Sequence, residues 1–285
     1  MRCFASTVRA AILLAVGLFF GAESAEALKV NGSSTVNPVV TRAAEILRQE
    51  QGLAIVVDTQ GGSSGGIASV GDGRVDVGMS SRPLNDGDRE RYPETDFRTV
   101  TIGLDAVALT VSKDVWESGL RSLTRDQVRG LYEGRIENWR EVGGPDRRVV
   151  FFNKEPGRGT WEVFADWLYG DADEAPLVSL PEVSSNEEGR TKVGSTRGAV
   201  TQLSAAWADG ERVFALALEN EHGATVTPTD RNLDHGLYPL VRPLLVLTDG
   251  EPMAEARTLI DFLLSERGRR LVEESGYRAA EKATR

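Results

Sequence analysis

Cysteine is almost missing from this 285-residue chain: there is one, Cys3, and there are only two histidines, His222 and His235. That excludes an intramolecular disulfide, a cysteine-based zinc site and a cysteine-ligated iron–sulfur cluster. A histidine-rich metal site is excluded too, and no cofactor is expected. Positive charge is also scarce, with 33 Lys and Arg against 43 Asp and Glu and a net charge of -10. A general nucleic-acid binder needs a basic footprint, and so does a chain drawn to anionic lipid. Linkers rich in proline or serine, internal repeats and low-complexity tracts are lacking. What is present is 40% hydrophobic residues, enough for real cores. The length fits about two domains at roughly 150 residues each.

The longest apolar run, Ala10 to Phe20, follows Arg2 and Arg9 and precedes the small-residue site Ala25-Glu26-Ala27. Residues 1–27 therefore read as an export signal with cleavage after Ala27. The run is too short to cross a bilayer of roughly 30 Å as a helix. Cys3 lies ahead of it, not where a lipid-anchor cysteine belongs, and is lost with the signal. A cysteine-free product avoids thiol chemistry in an oxidising compartment.

Beyond the signal, strand-like and helix-like stretches alternate. Leu28 to Val30 and Ala54 to Asp58 read as strands. Val36 to Glu50 reads as a helix, with Val39, Val40, Ala43, Ile46 and Leu47 near one face. Gly61 to Gly66 reads as a loop leading to a short helix at Ala68 to Val70, and Val75 to Ser80 as a strand. This β-α-β-α-β order predicts a parallel sheet covered by helices. More strands are expected at Leu104 to Ser112, Val149 to Phe152, Val213 to Leu218 and Leu240 to Thr248. Pro243 should put the last of these at an edge or a bend. Helices are expected at Thr124 to Tyr132, Thr160 to Tyr169, Val200 to Trp207, Pro252 to Leu264 and Glu266 to Glu274. Trp116, Trp139, Trp161 and Trp167 fall singly and read as packing residues.

The small hydroxyl residues fall at strand-to-helix junctions. Gly32-Ser33-Ser34-Thr35, Gly61-Gly62-Ser63-Ser64-Gly65-Gly66 and Gly157-Arg158-Gly159-Thr160 each end a strand and begin a helix. At such a junction several backbone N–H groups lack intrahelical partners, and the helix dipole adds positive potential. Hydroxyls donate further hydrogen bonds, and glycine lets the backbone approach closely. Ser80-Ser81-Arg82 ends a third strand and can complete the set. Ligands of open α/β sheets bind at the carboxyl ends of strands, where all four segments should lie. Together with Lys154, they make a cage for a small oxyanion. Any one junction alone reads as an ordinary helix cap.

These segments resemble those of the PstS-like periplasmic phosphate-binding proteins of ABC transporters. The resemblance runs in order through GSSTVNP at 32–38, GGSSGG at 61–66, VDVGMSSRPL at 75–84 and GLDAVALTVSK at 103–113. It continues through LTRDQVRGLYEGRIENWREVGGPD at 123–146, NKEPGRGT at 153–160 and YPLVRPLLVLT at 238–248. It implies an α/β periplasmic-binding-protein fold of two lobes. Each lobe is then a mixed, mostly parallel sheet flanked by helices, with the ligand cleft between them. Lobe 1 would be residues 28–104 plus 236–285 and lobe 2 residues 105–235, with hinges near Gly103–Leu104 and Thr225–Tyr238. Carried over by position, Thr35 and the backbone of Val36, then Ser63 and Ser81, bind from the first lobe. Lys154, Arg158, Gly159 and Thr160 bind from the second. Arg82, Ser33, Ser34 and Ser64 are further candidates. The implied ligand is inorganic phosphate, the implied partners are permease subunits in the membrane, and the implied state is a periplasmic monomer.

The chain departs from the family pattern in three places. Lys154 stands where the family usually has Arg, and lacks its planar fork. Arg158 stands where it usually has Ser. Ser81 stands where some members have an Asp that accepts the proton of hydrogen phosphate. Asp76, nearby, reads as a structural carboxylate. A cage of donors alone has less reason to prefer a protonated anion over sulfate or molybdate. Two other classes compete. Gly62-Ser63-Ser64-Gly65-Gly66 matches G-x-S-x-G, with Asp230 and His235 downstream, the order of a serine hydrolase using Ser64. The same fold can also serve as a ligand-sensing module.

Overall fold

The computed structural model describes residues 26–280. The export signal expected at 1–27 lies, but for its last two residues, outside them. The first elements are β1 (Leu28–Gly32), α1 (Asn37–Gln51), β2 (Ile55–Asp58), α2 (Gly62–Gly71) and β3 (Val77–Ser80). β1 pairs in parallel with β2 and with β3. α1 buries Val39, Val40, Ala43 and Leu47, the apolar stripe of its 3.6-residue period. After α3 (Asp86–Arg91) comes β4 (Phe97–Ser112), a strand of 16 residues. At roughly 3.3 Å per residue it runs about 50 Å.

The second half begins with α4 (Lys113–Glu117), β5 (Ser122–Leu123) and α5 (Arg125–Tyr132). Thr124 caps α5 in a capping box with Gln127. Then come β6 (Val150–Lys154), α6 (Gly159–Tyr169), β7 (Glu182–Val183), α7 (Asn186–Ser195) and β8 (Ala199–Ser204). β9 (Val213–Ala215), β10 (Ala217–Glu219), β11 (Thr225–Val226) and α8 (Asp230–Asp234) follow. The chain returns through β12 (Val241–Asp249), α9 (Ala254–Leu264), α10 (Glu266–Glu274) and β13 (Arg278–Ala279).

One curled mixed sheet runs in the order β2-β1-β3-β12-β4-β8-β6-β7, with β9 and β13 also on β4. β4 pairs with β12 along Phe97–Ala106 and with β8 along Val107–Val111, so one strand belongs to both halves. Each half has its own core. Val30, Val39, Leu47, Met79 and Leu259 fill the first. Leu109, Leu131, Trp139, Phe151 and Phe164 fill the second. Trp139 is fully buried and donates its indole N–H to the Gly198 carbonyl at 2.9 Å. Tyr238 and Leu240, which the sequence grouped with the first lobe, pack in the second core.

Several elements differ from the sequence reading, among them the short helices α3, α4 and α8, which it lacked, and the strand expected at Val213 to Leu218, which is split into β9 and β10; four differences bear on the site. Val200 to Trp207 is not a helix: β8 occupies Ala199–Ser204, followed by a single 3-10 turn. All six β8 residues are buried, between antiparallel β4 and parallel β6, so the period-2 alternation that marks a half-exposed strand is missing. The helix α7 was not expected at all; its polar, glycine-containing sequence carries a weak apolar stripe. Helix α2 begins at Gly62, so the glycine–serine stretch is its first turns rather than a loop. Close packing overrides glycine's poor helix propensity there: a Cβ at Gly66 would lie 2.6 Å from the Met79 carbonyl oxygen and 2.8 Å from that of Asn31. β12 is a central strand despite Pro243. β3 pairs with it only from Leu245 to Leu247, and the register with β4 shifts between Leu244 and Leu245. Pro243 therefore sits beyond the β3 ladder, beside a bulge.

Candidate functional site

The carboxyl ends of β1, β3 and β6 and the starts of α1, α2 and α6 meet between the two halves. Ser33, Ser34, Thr35, Gly62, Ser63, Ser81, Lys154, Arg158, Gly159, Thr160 and Ser184 line one small cavity. Its free volume is about 10 Å³, room for about one water.

The hydroxyls are wired together. Ser33 Oγ accepts from the Thr35 and Val36 amides at 3.2 and 3.4 Å and donates to Ser81 Oγ at 2.9 Å. Ser63 Oγ accepts from the Ser81 amide at 3.0 Å and lies 3.3 Å from Ser81 Oγ. α6 closes the cage from the other half. A Cβ at Gly159 would fall 2.5 Å from Ser63 Oγ and 2.8 Å from Ser81 Oγ, so only glycine fits there. The first amides of α6 have no acceptor within their own helix.

Lys154, at the end of β6, is 1% exposed, and its Nζ finds no hydrogen-bond partner among the described residues. Burial, then the nearby charges of Arg242 and Arg158, push its pKa down to about 7, against smaller opposing effects of Glu188 and Glu155. An ammonium so placed gains most from an anion beside it.

Two residues that the sequence reading missed sit behind the cage. Arg242 of β12 is 1% exposed. Its Nε and Nη2 donate to Asp105 Oδ2 at 3.0 and 2.8 Å. Nη2 also donates to Thr35 Oγ1 at 3.1 Å, and Nη1 to Thr160 Oγ1 at 2.9 Å and Ser81 Oγ at 3.2 Å. Asp105, on β4, accepts from Ser204 Oγ at 2.7 Å; burial raises its pKa, opposed by Arg242 and Ser204. The available signal was a lone charge in each of two apolar runs, LVRPLLV and GLDAVAL, where a buried charge needs a partner.

Three of the candidates point elsewhere. Arg82 donates to both oxygens of Asp88 at 2.5 and 3.0 Å, to Ser64 Oγ at 3.0 Å, and pairs with Glu162 of α6. Ser64 Oγ donates to Glu162 at 2.7 Å. These groups border a larger cavity of about 600 Å³ on the far side of α2. Arg158 lines the cage, but its guanidinium is taken up by Glu155 at 2.9 and 2.7 Å and by the Thr59 carbonyl at 3.2 Å. Thr59 follows β2, so that bond spans the two halves, as does the Ser64 amide to the Gly157 carbonyl at 3.1 Å. His235 lines a third cavity with Trp167 and Leu237, so Ser64 has a carboxylate and a guanidinium for neighbours instead of an imidazole.

The chain matches the model of the PBP superfamily domain over residues 21–267. It is 28% identical over 252 residues to the phosphate-binding protein PstS of Bacillus subtilis, covering 88% of this chain and 79% of that one. A Clostridium perfringens substrate-binding protein assigned to phosphate ABC transport, solved with bound phosphate, superposes with a TM-score of 0.78 at 26% identity; 90% of this chain and all of that one are covered. An ABC-type phosphate transport receptor from Vibrio cholerae gives 0.71 at 28% identity, over 89% of this chain and all of the other.

Proposed function

Because the chain belongs to the PBP superfamily, we propose that it captures inorganic phosphate between its two lobes and delivers it to an ABC transporter. One observation carries the reading. A buried ammonium, without a protein partner among the described residues, faces a ring of hydroxyls and helix starts. Leaving such a charge unpaired costs several kcal/mol, and a small anion relieves that cost. The phosphate-binding names of the relatives from B. subtilis, C. perfringens and V. cholerae support phosphate as that anion. In this reading the protein is exported to the periplasm, acts as a monomer, meets permease subunits at the membrane, and catalyses nothing.

Closure is the working step. The open form exchanges ions with water; the closed form sets Lys154 and Thr160 against Ser33, Ser63 and Ser81. The anion favours the closed form only by the contacts it gains there. The hinge is placed near Gly103–Leu104 and near Thr225–Tyr238, with lobes at 28–104 plus 236–285 and 105–235. The register shift of β12 opposite Gly103 supports the first of these. A second reading, sulfate or molybdate, is favoured by Ser81, which leaves no carboxylate lining the cage among the described residues. Calorimetry on ligand-stripped protein tests both. Phosphate should bind one to one. Tighter sulfate or molybdate would reassign the ligand, and no heat or stabilisation with any of the three would end the oxyanion reading.

A further inference from the structure

A hydroxyl has one proton to give and two lone pairs to fill. Which way each cage hydroxyl points is therefore fixed by what already occupies it. Arg242 has five N–H groups; Asp105 takes two, and Thr35, Ser81 and Thr160 receive one each. Thr35 Oγ1 also accepts from Asn186 Nδ2 at 3.1 Å, so both its lone pairs are filled and its proton must be donated. Ser81 Oγ accepts from Arg242 and from Ser33, so its proton goes either to Ser63 Oγ at 3.3 Å, which then offers its own proton, or into the cavity. Thr160 Oγ1 cannot donate to a guanidinium and turns its proton away from it. Arg242 is thus a positioning residue that makes this side of the cage a donor surface.

Ser184 is wired in the opposite sense. It follows β7 and lines the same cavity. Its Oγ donates to Glu188 Oε2 at 3.0 Å, and its amide donates to the same oxygen at 2.9 Å. That amide bond, with the Ser184 hydroxyl and Lys192, holds the Glu188 carboxyl below its ordinary pKa despite partial burial. A carboxylate that stays ionised accepts only, so the Ser184 proton is committed to it. The lone pairs of Ser184 Oγ are what it has left to offer the cavity.

We infer that Ser184, polarised by Glu188, accepts the P–OH proton of hydrogen phosphate and selects that ion over sulfate, while the Arg242-oriented hydroxyls bind the bare oxygens. The inference rests on the oxyanion reading above. It gives the cage a proton acceptor although Ser81 is not a carboxylate. Sulfate has no proton to give, so against it the Ser184 lone pairs face an anionic oxygen, which repels them. Ser195, exposed at the end of α7 with its hydroxyl on the Thr191 carbonyl, lies outside the cavity lining and is the natural control.

The test is calorimetry with phosphate and with sulfate on the full chain and three variants, Ser184→Ala, Glu188→Ala and Ser195→Ala. The parent protein should prefer phosphate by at least about tenfold. Ser184→Ala should weaken phosphate by at least about tenfold and leave sulfate unchanged or tighter. Glu188→Ala should shift the ratio the same way but less, since it only frees the Ser184 rotor. Ser195→Ala should keep the parental ratio. An unchanged ratio in Ser184→Ala, an equal loss for both anions, or the same change of ratio in Ser195→Ala would overturn the inference while leaving oxyanion binding intact. Absence of binding by the parent protein to either anion would defeat the oxyanion reading itself.

Discussion

Two polar clusters join the halves of the molecule, and they handle buried cations differently. In the outer cluster Arg82 is matched by Asp88, Glu162 and Ser64, and Arg158 by Glu155 and the Thr59 carbonyl. In the inner cluster Arg242 is matched by Asp105 and three hydroxyls, but Lys154 is left without a hydrogen-bond partner among the described residues. In the outer cluster each cation is paired with a carboxylate, and its bonds across the two halves make a clasp. The inner one is short of one negative charge. A cation-rich neighbourhood therefore does not by itself mark an anion site; the unmatched member does.

That contrast can be broken first at Lys154. Lys154→Met should lower phosphate affinity at least about 100-fold, about 2.7 kcal/mol. The anion-free variant should unfold at a higher temperature than the parent, because an unpaired buried charge is gone. Titration calorimetry and thermal melts read the two effects; a loss of stability together with unchanged affinity would place Lys154 among the clasp residues.

The next effect is on pH. The Lys154 pKa is lowered to about 7, so above that pH the anion-free protein has this amine uncharged, while the bound anion requires it protonated. Binding must then take up about one proton, and affinity should fall by up to about tenfold per pH unit as pH rises past 7, levelling off below it. Sulfate, whose own charge is constant across that range, isolates the effect. Proton uptake measured in buffers of different ionisation enthalpy checks it, and a flat profile contradicts it.

The smallest expected effect lies in the clasp. Glu162→Gln removes one partner of Arg82 but leaves Asp88, so the cost should be about 1 kcal/mol. It should appear as about fivefold faster anion release with the association rate little changed. Stopped-flow fluorescence reads this, and faster association instead would mean that Glu162 hinders entry.

Much of this was legible in the sequence, for physical reasons that also explain the rest. The alternation of apolar runs and helical periods placed β1 to β3, α1, α5, α6, α9 and α10 to within a few residues. Hydroxyl and glycine residues at strand ends brought Ser33, Thr35, Ser63, Ser81, Gly159 and Thr160 to one place. β8 was read as a helix because burial on both faces erases its alternation. Arg82 and Ser64 look like cage residues by position, yet they sit on the far side of α2, and a sequence carries no side-chain direction. Arg242 and Asp105 come from strands 137 residues apart in the chain, and only the folded sheet brings them together.

The pairing of β12 has one more consequence, for how the chain comes to be folded. β1, β2 and β3 reach β4 only through β12, whose first residue is Val241. Among the described residues the N-terminal strands therefore have no hydrogen-bonded ladder to the shared strand until β12 is made, although Ile102 of β4 packs in their core. Contacts of such high sequence separation make folding slow, and a chain truncated before Val241 would carry an exposed β3 edge. The strand that sets Arg242 behind the cage is also the last main strand the molecule needs in order to fold as one body.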